Sequence, residues 1–121
     1  QPQIAFSTVA GTDDPFLKCL QSVLLKSIPE GGATLPKVAK GMNLSTRTLQ
    51  RRLLEYKLSY QALLDAVREQ LARRYLSRTS LMLSEIPFLL GYSDQSAFNR
   101  AFRNWTGMTP GRFRQLDRTG L

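Results

Sequence analysis

The stretch Leu83–Pro110, LSEIPFLLGYSDQSAFNRAFRNWTGMTP, decides the fold. Ser84 offers a hydroxyl at a helix start, and Ile86, Phe88, Leu89 and Leu90 give a short apolar helix. Gly91 allows the left-handed backbone of a sharp stop. Asp94 can cap a second helix, whose apolar stripe is Phe98, Phe102 and Trp105 at i, i+4, i+7. Gln95, Ser96, Asn99, Arg100 and Arg103 lie between those aromatics. Two helices joined by a tight turn, the second with one buried face and one face of short polar and cationic side chains, fit the demands of a helix that reads a DNA major groove.

Upstream, the same pattern recurs. Thr34 can cap a helix from Leu35 to about Met42, with Val38, Ala39 and Met42 inward. Asn43, a residue that tolerates the left-handed conformation, takes the place of Gly91. Ser45 then matches Asp94, 49 positions later. Leu49 matches Phe98, Gln50 matches Asn99, Arg51 matches Arg100, and Leu53 matches Phe102. The helix from Thr46 to about Glu55 thus exposes Arg47, Gln50 and Arg51 at i, i+3, i+4. Between the two units Ser59 caps a long helix to about Ser77, with Tyr60, Leu63, Leu64, Val67, Leu71, Tyr75 and Leu76 on its apolar face. At 1.5 Å per residue it spans about 30 Å. Successive major-groove segments on one face of B-DNA lie about 34 Å apart, so one chain carries the parts to read two grooves.

The ends are simpler. Gln1–Thr12 reads as a linker or the remnant of an upstream domain, with Ile4 and Phe6 suited to packing against it. The chain opens on Gln1 rather than Met, as a segment of a longer protein would. Asp13 or Asp14 can cap a helix with Pro15 at its first position and Phe16, Leu17, Leu20, Val23, Leu24 and Ile28 on its apolar face. Pro110 starts a last short helix carrying Phe113 and Leu116, and Asp117–Leu121 is expected to fray. The expected architecture is all-α: a first helix-turn-helix subdomain over 14–57, a linker helix over 58–78, and a second subdomain over 79–121.

Composition narrows the function. Seventeen Lys and Arg oppose nine Asp and Glu in 121 residues, a net charge of +8. The excess points to a polyanionic partner, and its arginines suit bidentate pairing with guanine and phosphate. The absence of His removes His-based acid–base chemistry and most zinc sites. No Gly-rich phosphate loop, membrane-length apolar run or signal-peptide pattern occurs. No cofactor, metal or catalytic activity is expected. The lone Cys19 sits in an apolar segment and reads as a buried small hydrophobe in a reduced, cytoplasmic protein.

The segments GMNLSTRTLQRRL, LLDAVREQLARRYL and EIPFLLGYSDQSAFNRAFRNWTGMTPGRFR resemble the C-terminal DNA-binding domain of AraC/XylS-type bacterial transcription regulators over roughly Leu35–Arg114. The helix before Leu35 and the Ile4–Phe6 stretch are similar to the ornithine- or arginine-responsive subgroup. Pro87 departs from the family's usual Ala, and Asn43 from its common Gly. The resemblance implies sequence-specific promoter binding, most often activation through RNA polymerase. It also implies a small-molecule effector acting only through an N-terminal domain that this chain lacks. It assigns base contacts to Arg47, Gln50 and Arg51 on the first reading helix. On the second it assigns them to Gln95, Ser96, Asn99 and Arg100, although some members use this helix chiefly for phosphates. Gln95 has the alternative of serving only the helix start. Ser45, Arg52, Lys57, Arg103 and Arg112 are the expected phosphate contacts, the salt-sensitive and sequence-independent part of affinity. Two rivals stand beside this reading: a non-sequence-specific nucleic-acid-binding helical module, and a helical module for an acidic protein partner.

Overall fold

A computed structural model describes residues 13–119, and all regular structure among them is helical. The helices are α1 (Pro15–Ser27), α2 (Leu35–Gly41), α3 (Thr46–Glu55), α4 (Tyr60–Arg78), α5 (Ile86–Leu89), α6 (Gln95–Thr106) and α7 (Pro110–Thr119). The chain divides into two compact units, one ending at Arg68 and the other beginning at Glu69, so the division falls within α4. Ile4 and Phe6 lie outside the described residues.

In the first unit each start signal is used. Asp14 Oδ1 accepts from the Phe16 and Leu17 amides at 2.8 and 3.3 Å, Thr34 Oγ1 from Lys37 at 3.4 Å, and Ser45 Oγ from Thr48 at 3.1 Å. These side chains satisfy amides that the first helical turn leaves unpaired. Helix α1 packs on α2 and α2 on α3, burying Leu17, Leu20, Leu24, Ile28, Val38, Ala39, Leu49 and Leu53. The turn after α2 is a two-bond left-handed cap. Asn43 has φ 58°, its amide donates to Lys40 O at 3.0 Å, and the Leu44 amide donates to Ala39 O at 2.9 Å. The turn after α3 repeats this with Lys57 at φ 58° and the Leu58 amide donating to Leu53 O at 3.0 Å. Ser59 Oγ then accepts from the Ala62 amide at 3.1 Å and starts α4.

The second unit repeats the device with the residue best suited to it. Gly91 takes φ 89° after α5, and the Tyr92 amide donates to Pro87 O at 3.0 Å. Asp94 Oδ1 accepts from Ala97 at 2.8 Å and caps α6. Phe98 and Phe102 are fully buried. Phe102 meets Trp105 and Phe113 edge-on, with centroids at 6.2 and 5.4 Å. Such edge-to-face pairs add to the stabilisation that burial provides.

Several expectations need correction. Ser84 does not start α5. The chain first turns at Met82–Glu85, and Glu85 Oε1 accepts the Met82 amide at 2.8 Å. The helix begins at Ile86 after a Glu85 that makes no side-chain cap bond. Pro87 is therefore its second residue, where a missing N–H costs nothing. Phe88 is 63% exposed, because a single turn has one inward face and Ile86, Pro87 and Leu90 occupy it. Cys19 is exposed, lying outside the arc of α1 that carries Leu17, Leu20 and Leu24. Helix α7 continues through Asp117 to Thr119, and Arg118 Nη2 donates to Thr79 O; Gly120 and Leu121 lie outside the described residues.

Helix α4 also differs from a simple striped helix. Ala66 and Ala72 are buried beside Leu63, Leu64, Val67, Leu71 and Leu76, whereas Tyr60 and Tyr75 are half-buried. At about 100° per residue, Ala72 and Leu76 point well away from the arc around Leu63 and Val67.

Candidate nucleic-acid interface

Helix α3 buries Leu49 and Leu53 and turns the opposite side outward. Arg47, Gln50 and Arg51 all lie exposed on that side. They stand two, five and six positions after the cap residue Ser45. In α6 the same offsets from Asp94 give Ser96, Asn99 and Arg100. Ser96 and Arg100 are exposed and Asn99 is half-buried. Gln95, first in the helix, is exposed, and the capping bond at this end comes from Asp94.

Arg47, Arg51, Arg100 and Arg103 have no ion-pair partner among the described residues. The pairs that do form there are Arg68–Asp65 at 3.8 Å and Arg73–Glu69 at 2.8 Å, both on α4. Each of these faces is therefore a set of amide, hydroxyl and guanidinium groups whose cations have no ion-pair partner among the described residues. Such faces attract phosphate and can donate in pairs to guanine or adenine edges.

The expected phosphate contacts fall into different settings. Lys57, Arg103 and Arg112 are exposed. The Ser45 hydroxyl is already engaged, capping α3 and donating to Thr48 Oγ1 at 2.9 Å. Arg52 is half-buried, its guanidinium carbon 4.1 Å from the Phe16 ring centroid. Phe16 stacks on Tyr56 with centroids 5.4 Å apart, and the Tyr56 hydroxyl donates to Asp14 Oδ2 at 2.7 Å. That hydroxyl lowers the Asp14 carboxyl below its ordinary value, and the carboxylate in turn raises the Tyr56 phenol. Arg52 thus joins α1 to the last turn of α3.

Two features had no place among the residues singled out from sequence. Leu54, nine positions after Ser45 and in line with Arg47 and Arg51, is 74% exposed. Its i+7 spacing from Arg47 carried the signal. Arg114 holds three carbonyls: Leu76 O at 3.1 Å, Leu81 O at 2.6 Å and Tyr75 O at 3.2 Å. Only its place one residue after Phe113 marked it.

No cluster of three or more potential metal-binding side chains occurs among the described residues. No helix there is long and apolar enough to cross a membrane.

A helix-turn-helix domain family matches residues 38–116. The ornithine utilization regulator of Pseudomonas aeruginosa is 44% identical over 92 residues, 76% of this chain and 27% of that protein. The transcriptional regulator VirS of Mycobacterium tuberculosis is 44% identical over 87 residues, 72% of this chain and 26% of that protein. A DNA-binding transcriptional dual regulator of Escherichia coli has a solved structure with TM-score 0.72 and 25% identity, covering 91% of this chain and 99% of that one. The chain spans about a quarter of the length of the curated relatives it matches.

Proposed function

The chain belongs to the AraC-type family of helix-turn-helix bacterial transcription regulators, and from that premise we propose that it recognises promoter DNA by sequence with both α3 and α6. The subdomains cover 14–57 and 79–121, with 58–78 as linker. Each reading helix enters a major groove, and the two grooves are successive. Arg47, Gln50 and Arg51 read one box; Gln95, Ser96, Asn99 and Arg100 read the other. Ser45, Arg52, Lys57, Arg103 and Arg112 lie against phosphates and set register. Arg52 does this from its seat on Phe16, which fixes its direction. The regulator acts as an activator in the cytoplasm, through RNA polymerase, and a small effector works through parts of the full-length protein beyond this chain.

The observation that carries the reading is the recurrence of one exposed polar face at identical offsets from two capped helix starts, with its guanidiniums unpaired. A non-specific binder needs positive charge but no such register.

Selection from a random duplex library across a salt titration tests it. Two enriched boxes about one helical turn apart are expected. Arg47→Ala should cost about 1–3 kcal/mol on the selected site and relax preference at one position of one box. Arg112→Ala should weaken all duplexes alike and reduce the salt slope by about 1. Salt-sensitive binding without enrichment would leave a non-specific module.

A further inference from the structure

We infer that Leu54 is a specificity-determining residue of α3 that reads a thymine through its C5-methyl group. This rests on the assignment of α3 as a base-reading helix. Leu54 completes the i, i+3, i+4, i+7 series Arg47, Gln50, Arg51, Leu54, so it lies on the reading stripe itself. It is 74% exposed, beside charged neighbours, while Leu49 and Leu53 on the far side are buried. Its side chain is therefore withheld from the core by helix geometry.

A large aliphatic group here faces whatever Arg47 and Arg51 face. The stripe is cationic without internal compensation, and a duplex is the partner that such charge selects. In the major groove the one apolar feature on any base edge is the thymine methyl. An open groove lined by Gln50, Leu54, Leu58 and Tyr60 adjoins the stripe. Its apolar wall gives the methyl a second surface away from water. The matching position of α6 is Arg103, which is exposed and cationic, so α6 carries no aliphatic side chain at this step. The two boxes should then differ in thymine dependence.

Deoxyuridine scanning of the selected site isolates the methyl, because uracil differs from thymine by that group alone. For the unaltered chain, one thymine in the α3 box should lose about fourfold in affinity on replacement, the worth of one buried carbon. In Leu54→Ala the same replacement should change nothing, with binding to the unmodified site already about fourfold weaker. Leu54→Arg should also lose the methyl dependence, and should raise the salt slope by about 1. Circular dichroism should find both variants folded, since Leu54 is outside the core. Tolerance of uracil at every position, or methyl dependence that persists in Leu54→Ala, would overturn the inference while leaving α3 as a reading helix if Arg47→Ala still alters preference. Unchanged DNA binding by Leu54→Ala with lost transcription stimulation would also overturn it, and would give Leu54 to the polymerase. A chain that selects no sequence at all would fail the parent reading instead.

Discussion

The Tyr56 hydroxyl donates to Asp14 Oδ2 at 2.7 Å, joining the C-terminal cap of α3 to a residue 42 positions earlier. Asp14 also caps α1, so one carboxylate starts one helix and anchors the end of another. Phe16 stacks on Tyr56, and the Arg52 guanidinium lies over the Phe16 ring.

This bond makes stability depend on pH in a direction fixed by its chemistry. The Asp14 carboxyl is lowered, chiefly by the Tyr56 hydroxyl. Its contribution is present above the ordinary aspartate range, near about pH 4, and is lost as pH falls through the lowered value. Tyr60 works at the other end. Burial raises its phenol to about 12, and the neutral hydroxyl donates to Ala33 O at 2.6 Å. That contribution is present below the ordinary tyrosine value of about 10 and is lost as pH climbs towards the raised one. Urea midpoints measured against pH should show both limbs. Tyr56→Phe should shrink the acid limb, and Tyr60→Phe the alkaline one. An acid limb unchanged in Tyr56→Phe would remove the Asp14–Tyr56 bond from the account.

Arg114 is a cation put to internal use. Its guanidinium donates to the carbonyls of Tyr75 and Leu76 at the end of α4 and of Leu81 in the following loop. Charged hydrogen bonds of this kind are each worth about 1.5–3 kcal/mol, and their loss strands half-buried carbonyls. Arg114→Met should destabilise by roughly 4–5 kcal/mol, the lower end for three such bonds, with Arg114→Lys recovering part of it through one bond. Arg112→Ala, two positions away and exposed, should leave thermal unfolding unchanged. Equal stability in all three variants would show that the carbonyl contacts carry no weight.

The aromatic core of the second unit gives a larger effect. Phe102 is fully buried and touches Phe98, Trp105 and Phe113. Phe102→Ala should cost about 3–5 kcal/mol through lost burial and the cavity left behind. Calorimetry should separate this transition from that of the first unit, whose core does not include Phe102. Loss of α6-box protection in footprinting should accompany it, with Arg47-dependent contacts retained. Unfolding of the variant as readily as the parent would contradict the core assignment.

What could be read from sequence was local. Ser45, Asp94 and Thr34 mark helix starts because their short oxygens satisfy amides two or three residues on. Asn43 and Gly91 mark stops because few residues tolerate the left-handed turn. Leu49, Leu53, Phe98 and Phe102 follow from period alone. The features missed are of another kind. Ala66 and Ala72 are buried, and small residues add little to a periodic apolar signal. Arg114 to Leu76 and Tyr56 to Asp14 are 38 and 42 positions apart, and nothing in either segment announces the other. Ser84 looked like a cap by residue type, while the turn geometry gave the local bond to Glu85. Leu54 escapes notice because an aliphatic residue stands out neither as a base-reading group nor, off the Leu49–Leu53 arc, as core.

Lys57 separates stability from DNA contact in one residue. It holds φ 58° in the turn after α3, a conformation that costs a side-chain-bearing residue about 1–2 kcal/mol. Glycine avoids that cost but loses about 0.5–1 kcal/mol of chain entropy on folding. Lys57→Gly should therefore stabilise the first unit by a few tenths to about 1 kcal/mol, read as a higher urea midpoint. Asn43→Gly should gain less, because asparagine tolerates the left-handed region better than lysine. If Lys57 also lies against a phosphate, the glycine variant should bind every duplex more weakly and reduce the salt slope by about 1. Asn43→Gly should leave that slope alone. A more stable Lys57→Gly protein with an unchanged slope would mean that Lys57 serves only the turn, and the phosphate contacts would then fall to Ser45, Arg52, Arg103 and Arg112.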